Sequence, residues 1–223
     1  MKTDSTEHEN WFQRIWRARE EEIYPRLFGD VGQEIHTITP GLFKNLGIQS
    51  VDPRWLTHGI LVSPPGKSRL SWLYVTSGLS NPWGVNPDVV ATNEFSGLGF
   101  EFLIQTTASA TWPIAVLNRL MAIQILIAAG QKEGQLLEPF DRVGLGESID
   151  GGVSELKNLF VAPPEDIPSR IQTESGLVDM LVCVGISDAE LQFARAQDGP
   201  GLLQLLKHHG HFPVTDPNRV SAV

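Results

Sequence analysis

The chain has a single cysteine, Cys183, among 223 residues. An internal disulfide is therefore excluded, and the composition fits a reducing compartment. A chain of this length buries roughly 70% of its unfolded surface, so it needs neither a disulfide nor a metal to fold. Positive charge is also scarce. Lys and Arg number 17 against 26 Asp and Glu, for a net charge of −9. That balance argues against nucleic acid, whose binding relies on neutralising phosphates, and is compatible with a basic protein partner. Long apolar runs are missing as well. The most apolar segment, 114–129, carries Asn118, Arg119 and Gln124, and falls short of the ~20 apolar residues of a membrane span. The polar start, 1–10, has no apolar core of a secretory leader, so no membrane role and a cytoplasmic location are expected.

Hydrophobic residues make up 41% and charged residues 19%, a globular balance. Residues 1–9 read as a flexible tail before a single domain over 10–223. Trp11, Phe12, Ile15 and Trp16 recur at helical spacing; Asn10 suits the cap, and Pro25 and Gly29 limit the helix. The run Glu20-Glu21-Glu22 reads as a solvated face. Strands are expected at 36–38, 57–62, 70–76, 99–106, 156–161 and 177–184. In 99–106, Phe100, Phe102 and Ile104 share one face, with Glu101 and Gln105 on the other. Thr111 and Pro113 start a long helix that Gly130 ends. Ser187 to Glu190 form a capping box for a helix ending near Asp198. The stretch 198–201, DGPG, reads as a break before a last helix at 202–209. The order predicts an α+β (α/β) fold, a mixed β-sheet with flanking helices.

Motifs that carry chemistry are thin. The stretch WLYVTSGLSNPWG (72–84) places Ser77 and Ser80 at the end of an apolar strand. Neither fits the G-x-S-x-G elbow of a hydrolase, and no helix follows. They read as structural, with Gly78 bending the strand and Asn81-Pro82 opening a loop. The glycine-rich 96–100 precedes a strand rather than a helix, so it is no phosphate cradle. His208, His209 and His211 form one histidine cluster. With a carboxylate such as Asp216 they could hold a metal for a hydrolase, but H-E-x-x-H and cysteine partners are missing. The expectation is no catalytic residue, no metal and no cofactor. Cys183 reads as a buried strand residue.

Four blocks in order carry a family resemblance: WLYVTSGLSNPWG, SGLGFEFLIQ (96–105), TWPIAVLNRL (111–120) and GLVDMLVCVGISDAELQFARAQDGPGLLQLL (176–206). Together, over about 34–215, they resemble the suppressor of fused domain. The resemblance implies a domain without known catalytic residues that works by binding other proteins. Animal members sequester transcription factors in the cytoplasm by holding a short extended peptide. Many bacterial members act as immunity proteins that neutralise toxins, and this compact chain is similar to those. Tyr74 matches the family tyrosine on the strand lining the peptide cleft; the acidic position after G-L-S has Asp88 as its nearest carboxylate. The expected partner-binding residues are Tyr74, Trp83, Asn86 and Asp88, on the loop 81–93 and its strand. Trp83, between Pro82 and Gly84, is either an exposed anchor or a cover over Leu79.

Overall fold

The structure, a computed structural model, describes residues 3–83 and 85–223, with side chains from Glu9 onward. Gly84, given a role above, lies outside the described residues. The chain runs α1 (Thr3–Arg17), a π-helical turn (Ala18–Ile23) and α2 (Tyr24–Phe28), then β1 (His36–Thr37) and α3 (Pro40–Asn45). A 3-10 turn (Pro53–Thr57) leads into the hairpin of β2 (Gly59–Ser63) and β3 (Trp72–Ser77). Next come β4 (Phe95–Thr106), α4 (Trp112–Ala128), β5 (Arg142–Gly144), β6 (Leu156–Ala162), β7 (Arg170–Thr173) and β8 (Gly176–Ser187). Helices α5 (Asp188–Ala196) and α6 (Gly199–His208) and the short β9 (Val214–Thr215) close it.

Among the described residues nine strands form one mixed sheet in the order β1-β2-β3-β4-β8-β6-β5, with β7 on β8 and β9 on β4. The seam between β4 and β8 is parallel, Phe102 facing Leu181, and β9 extends it in parallel at Gln105. Every other pairing is antiparallel. Both faces of the sheet are covered, so its middle strands are apolar on both sides rather than alternating. One face packs on α4, whose Leu117, Leu120, Met121 and Ile125 form a stripe against Tyr74, Phe102 and Ile104. The other packs on α2, α5 and α6 through Tyr24, Phe28, Ala194 and Leu202 against Val75, Leu103 and Val182.

Local chemistry sets the ends of these elements. Ser187 accepts from the Glu190 amide while the Glu190 carboxylate accepts from the Ser187 amide, the reciprocal box expected. Thr111 occupies the start of α4 as anticipated, although its hydroxyl makes no capping bond there. The stretch 198–201 is a start rather than a break. Asp198 caps α6 by accepting from the Gly201 amide, and Pro200 sits in the first turn, where its missing N–H costs nothing. At the other end, α1 begins at Thr3, so Asn10 lies within the helix and does not cap it. Pro25 does not stop the helical run either: the wide π turn precedes it, and the run ends at Gly29 with φ +82°.

Candidate functional site

The end of β3 turns over a buried polar knot. Thr76, Ser77 and Ser80 are essentially closed to solvent. Gly78 has φ +140°, and a Cβ there would sit 2.5 Å from the His58 ring, so only glycine makes this turn. The Asn81 amide donates back to the Gly78 carbonyl at 2.9 Å. Beneath the turn lies Glu101, wholly buried in the middle of β4. Its Oε1 accepts from the Gly78 amide (3.0 Å), the Ser80 amide (2.9 Å) and the Ser80 hydroxyl (2.6 Å). Its Oε2 accepts from the Thr76 hydroxyl at 2.6 Å. A carboxylate so surrounded is the acceptor such a turn needs, because buried amides without partners are costly.

The countercharge comes from near the start of the chain. Arg19, on the π turn, is 1% exposed. Its Nη1 donates to the Ser80 hydroxyl and its Nη2 to the Ser77 hydroxyl, both at 2.8 Å, and Nη1 stands 3.8 Å from Glu101. Glu20 joins through the Ser77 hydroxyl and the Trp16 indole N–H, which both donate to its carboxylate. Glu20 is therefore half-buried, and only Glu21 and Glu22 of the acidic run are exposed. Tyr24 donates to the Thr76 carbonyl at 2.9 Å; burial first, and the Glu101 charge second, hold its phenol well above the ordinary range. The two serines are thus spoken for by an arginine and two carboxylates. Both hydroxyls are buried and committed within the knot, and among the described residues no imidazole hydrogen-bonds to either.

The turn is tied on its flanks too. Ser96 donates to the Ser80 carbonyl at 2.7 Å and the Leu98 amide to the Leu79 carbonyl at 2.8 Å. Leu79 is buried against the α4 side of the sheet. From this base the chain leaves through Asn81 and Pro82 to Trp83. The indole is half-buried. It stacks on Phe12 of α1, with ring centroids 4.1 Å apart, and the Arg54 guanidinium lies 5.8 Å from its centroid. Asn86 and Asp88 follow, both exposed, the Asn86 side chain capping a short 3-10 turn by accepting from the Asp88 amide at 3.1 Å. The exposed Val89 completes this surface. Tyr74 is elsewhere: it is wholly enclosed on the α4 side, its hydroxyl donating to the Ala110 carbonyl and accepting from the Ala110 amide, both at 2.8 Å.

A cavity of about 260 Å³ opens between Trp83 and the end of α4, floored by His58, Gly78 and Leu79. Burial holds the His58 imidazole below its ordinary pKa, against the opposing pull of Glu101 and of the Arg54 and Trp55 carbonyls. The three clustered histidines, His208, His209 and His211, follow one another around the end of α6. The ring centroids of His208 and His209 are 5.2 Å apart and those of His209 and His211 6.0 Å. Among the described residues no group of three or more His, Cys, Asp or Glu converges on one point. Asp216 instead accepts from the Asn218 amide. Cys183 is fully buried, and burial pushes its thiol far up, so it is inert. None of the described helices is long and apolar enough to cross a membrane.

The mixed sheet with its flanking helices is the fold of the suppressor of fused proteins. A homologue from Neisseria gonorrhoeae superposes with a TM-score of 0.63 at 14% identity, over 95% of this chain and 97% of that one. A chain of the Sufu–Fu complex gives 0.58 at 21% identity, over 85% and 93%; Drosophila Suppressor of Fused gives 0.57 at 23%, over 74% and 42%. At the sequence level, the model of the suppressor of fused protein (SUFU) family matches residues 54–220, and the chain belongs to that family. The human suppressor of fused homologue is 27% identical, and the mouse one 26%, over 153 residues. That alignment covers 65% of this chain but 30% of each relative, so this chain spans under a third of their length.

Proposed function

We propose that this chain is a non-enzymatic protein-binding domain whose contact surface is the loop 81–93 headed by Trp83. One observation carries the reading: the turn that launches the loop is bolted to the sheet by a buried carboxylate and a buried arginine. Such bracing is what a recognition loop on a rigid scaffold requires. It presents a half-buried indole, an exposed valine and two exposed polar groups, Asn86 and Asp88, in sequence. An aromatic anchor with a polar rim is the usual anatomy of an interface. Tyr74 enters only as support, since its side chain is enclosed. A protein of this fold occurs in a Sufu–Fu complex, which supports binding as the mode of action.

The chain's net charge of −9 favours a basic partner, with Asp88 at the rim contributing more to association rate than to affinity. We read the role as immunity-type: the domain occupies a cytoplasmic toxin, or sequesters a regulatory protein, by direct contact. The test is co-expression with the product of the adjacent gene, followed by titration calorimetry of the purified pair. A stoichiometric complex that protects the host from that product is expected. Trp83→Ala should weaken it by ~30-fold or more, about 2 kcal/mol. No complex, or a complex indifferent to Trp83→Ala with a fully folded variant, would overturn the assignment of the surface.

A further inference from the structure

Helix α1 bridges two parts of the surface. Its Phe12 stacks on the Trp83 indole, ring centroids 4.1 Å apart. Its Arg14 meets Glu174 at 3.0 Å, on the turn between β7 and β8, with both side chains exposed. Between these contacts Trp11 and Ile15 are buried, 5% and 2% exposed. Helical geometry produces this arrangement: Trp11 and Ile15 share a face, and Phe12 and Arg14 project about 80° to either side of it. The helix is thus seated in a groove, with Trp83 on one bank and Glu174 on the other.

The helix is an addition to the fold rather than part of its core. Neither Trp11 nor Ile15 belongs to the apolar layers on the two faces of the sheet, which close without α1. Just after α1, Arg19 is pinned to Ser77 and Ser80, so the π turn is a fixed point from which the helix projects. Such turns inside a helical run recur at functional sites. A helix of 15 residues is marginal by itself in water, so α1 keeps its form only while seated. The seat also defines what it accepts. Trp11, Phe12, Arg14 and Ile15 give the pattern: apolar residues at i, i+1 and i+4 and a cation at i+3. The cation meets Glu174 on a chain of net charge −9, so electrostatics favour a basic helix.

We infer that the groove between Trp83 and Glu174 accepts a basic amphipathic helix of a protein partner, and that α1 is its built-in competitor. The incoming helix displaces α1 about the π turn and sets its own apolar side chain on the Trp83 ring in place of Phe12. The inference rests on the protein-binding reading and adds to it the form of the partner and a regulation of the site. Because α1 is tethered, it outcompetes weakly fitting helices and yields to a better one.

The α1 segment, supplied in trans to the full chain, tests this. The probe is a synthetic peptide of residues 3–17, acetylated and amidated. Ile15→Asp unseats the resident helix. The vacated groove should then take up the peptide and shift the Trp83 indole N–H resonance saturably, with Kd on the order of 1 mM. The parent should bind the peptide roughly tenfold more weakly or worse, because its groove is filled. A peptide that itself carries Ile15→Asp should not bind. If Ile15→Asp does not fold, Arg14→Glu opposes Glu174 at the exposed pair and opens the groove more mildly. Peptide uptake should then rise about threefold over the parent and return to the parent level when Glu174→Arg is added. The protein partner should bind Ile15→Asp roughly five- to tenfold more tightly than the parent. No uptake by a folded variant, or equal uptake by parent and variant, overturns the inference. So does a partner that binds Ile15→Asp no more tightly than the parent, since α1 would then be part of the scaffold or of the contact surface. The Trp83 reading survives those results if Trp83→Ala still weakens the partner.

Discussion

Among the described residues two arginines are buried against carboxylates, and they are held in different ways. Arg219 meets Glu190 directly and bidentately, both contacts at 2.7 Å, and the carboxylate also accepts from the Ser187 and Ala222 amides at 2.8 Å each. Burial alone would raise Glu190, but the hydrogen bonds from Arg219 and the two amides outweigh it and hold the group below its ordinary value. Arg19 and Glu101, by contrast, stand 3.8 Å apart and communicate through the Ser80 hydroxyl, with Ser77 and Glu20 to one side. The first pair is a self-contained clamp that fastens the last residues to the start of α5. The second is spread over two elements and a turn, so its charges are compensated only while the turn keeps its shape. A direct pair fixes two points; a mediated one fixes a loop.

The largest expected effect comes from breaking the mediated pair. Glu101→Ala leaves Arg19 with only the half-buried Glu20 as countercharge, 3.7 Å away, and strips the Gly78 and Ser80 amides of their acceptor. A loss of about 3–5 kcal/mol is expected by urea unfolding. Replacing both partners together, Arg19→Met with Glu101→Leu, should recover part of that loss, because the under-compensated buried arginine is gone and the half-buried Glu20 can hydrate; the turn should stay loosened, visible as faster amide exchange at 78–83. Arg219→Ala should cost less, about 2 kcal/mol, because the freed Glu190 can be rehydrated by fraying of the last residues. Its effect should leave partner binding at Trp83 untouched.

Acid weakens both regions through groups with lowered pKa values. The His58 pKa is lowered in the folded state, so the unfolded chain binds the proton more readily. Stability near the turn is full above the unfolded histidine value of ~6.5 and is lost as pH falls below it. The Glu190 clamp has a depressed carboxylate, so its contribution is present above the unfolded value of ~4.3 and is lost only as pH falls through the lower folded value. Burial, and after it Arg219, lowers the His211 pKa in the same direction. Melting temperatures between pH 7.5 and 5 should therefore decline in the parent and less steeply in His58→Asn, while Arg219→Gln alters the curve in the carboxylate range and, through His211, in the histidine range too. The smallest effect is expected from Phe12→Ala. Losing the stack on Trp83 should cost ~1 kcal/mol and broaden the Trp83 indole resonance without disturbing either ion pair.

Much of the sheet was legible from local pattern, because apolar strands between glycine and proline punctuation carry their own signal. The two long central strands run further than that pattern suggests: β4 begins at Phe95 and β8 ends at Ser187. Their extra residues are fastened by partners distant in sequence, such as Leu177 against Phe95. Glu101 was placed on the right face of its strand, yet nothing local says that the face is covered. That depends on the π turn reaching across with Arg19, 61 residues before Ser80. The signal was present in weak form, as one carboxylate flanked by Phe100 and Phe102 in an otherwise apolar strand. The acidic run after Arg19 pointed the other way, because its exposed members, Glu21 and Glu22, dominate the pattern. The short β5, β7 and β9 were invisible for a simpler reason: pieces of two to four residues are strands only by virtue of their neighbours.

The parallel seam has a consequence for how the chain is made. On one side of β4 the hairpin strand β3 is already present when residues 95–106 leave the ribosome, but the other side waits for β8, then β9. Throughout that interval a twelve-residue strand offers one open edge of unpaired amides and carbonyls. Glu101 and Gln105 on one face do little to blunt it, since Phe100, Phe102, Leu103 and Ile104 around them are apolar. A nascent chain paused before residue 176 is therefore the form of this protein most prone to stick to its own kind. Slowing translation ahead of Gly176, or truncating there, should divert product from the soluble fraction into aggregates.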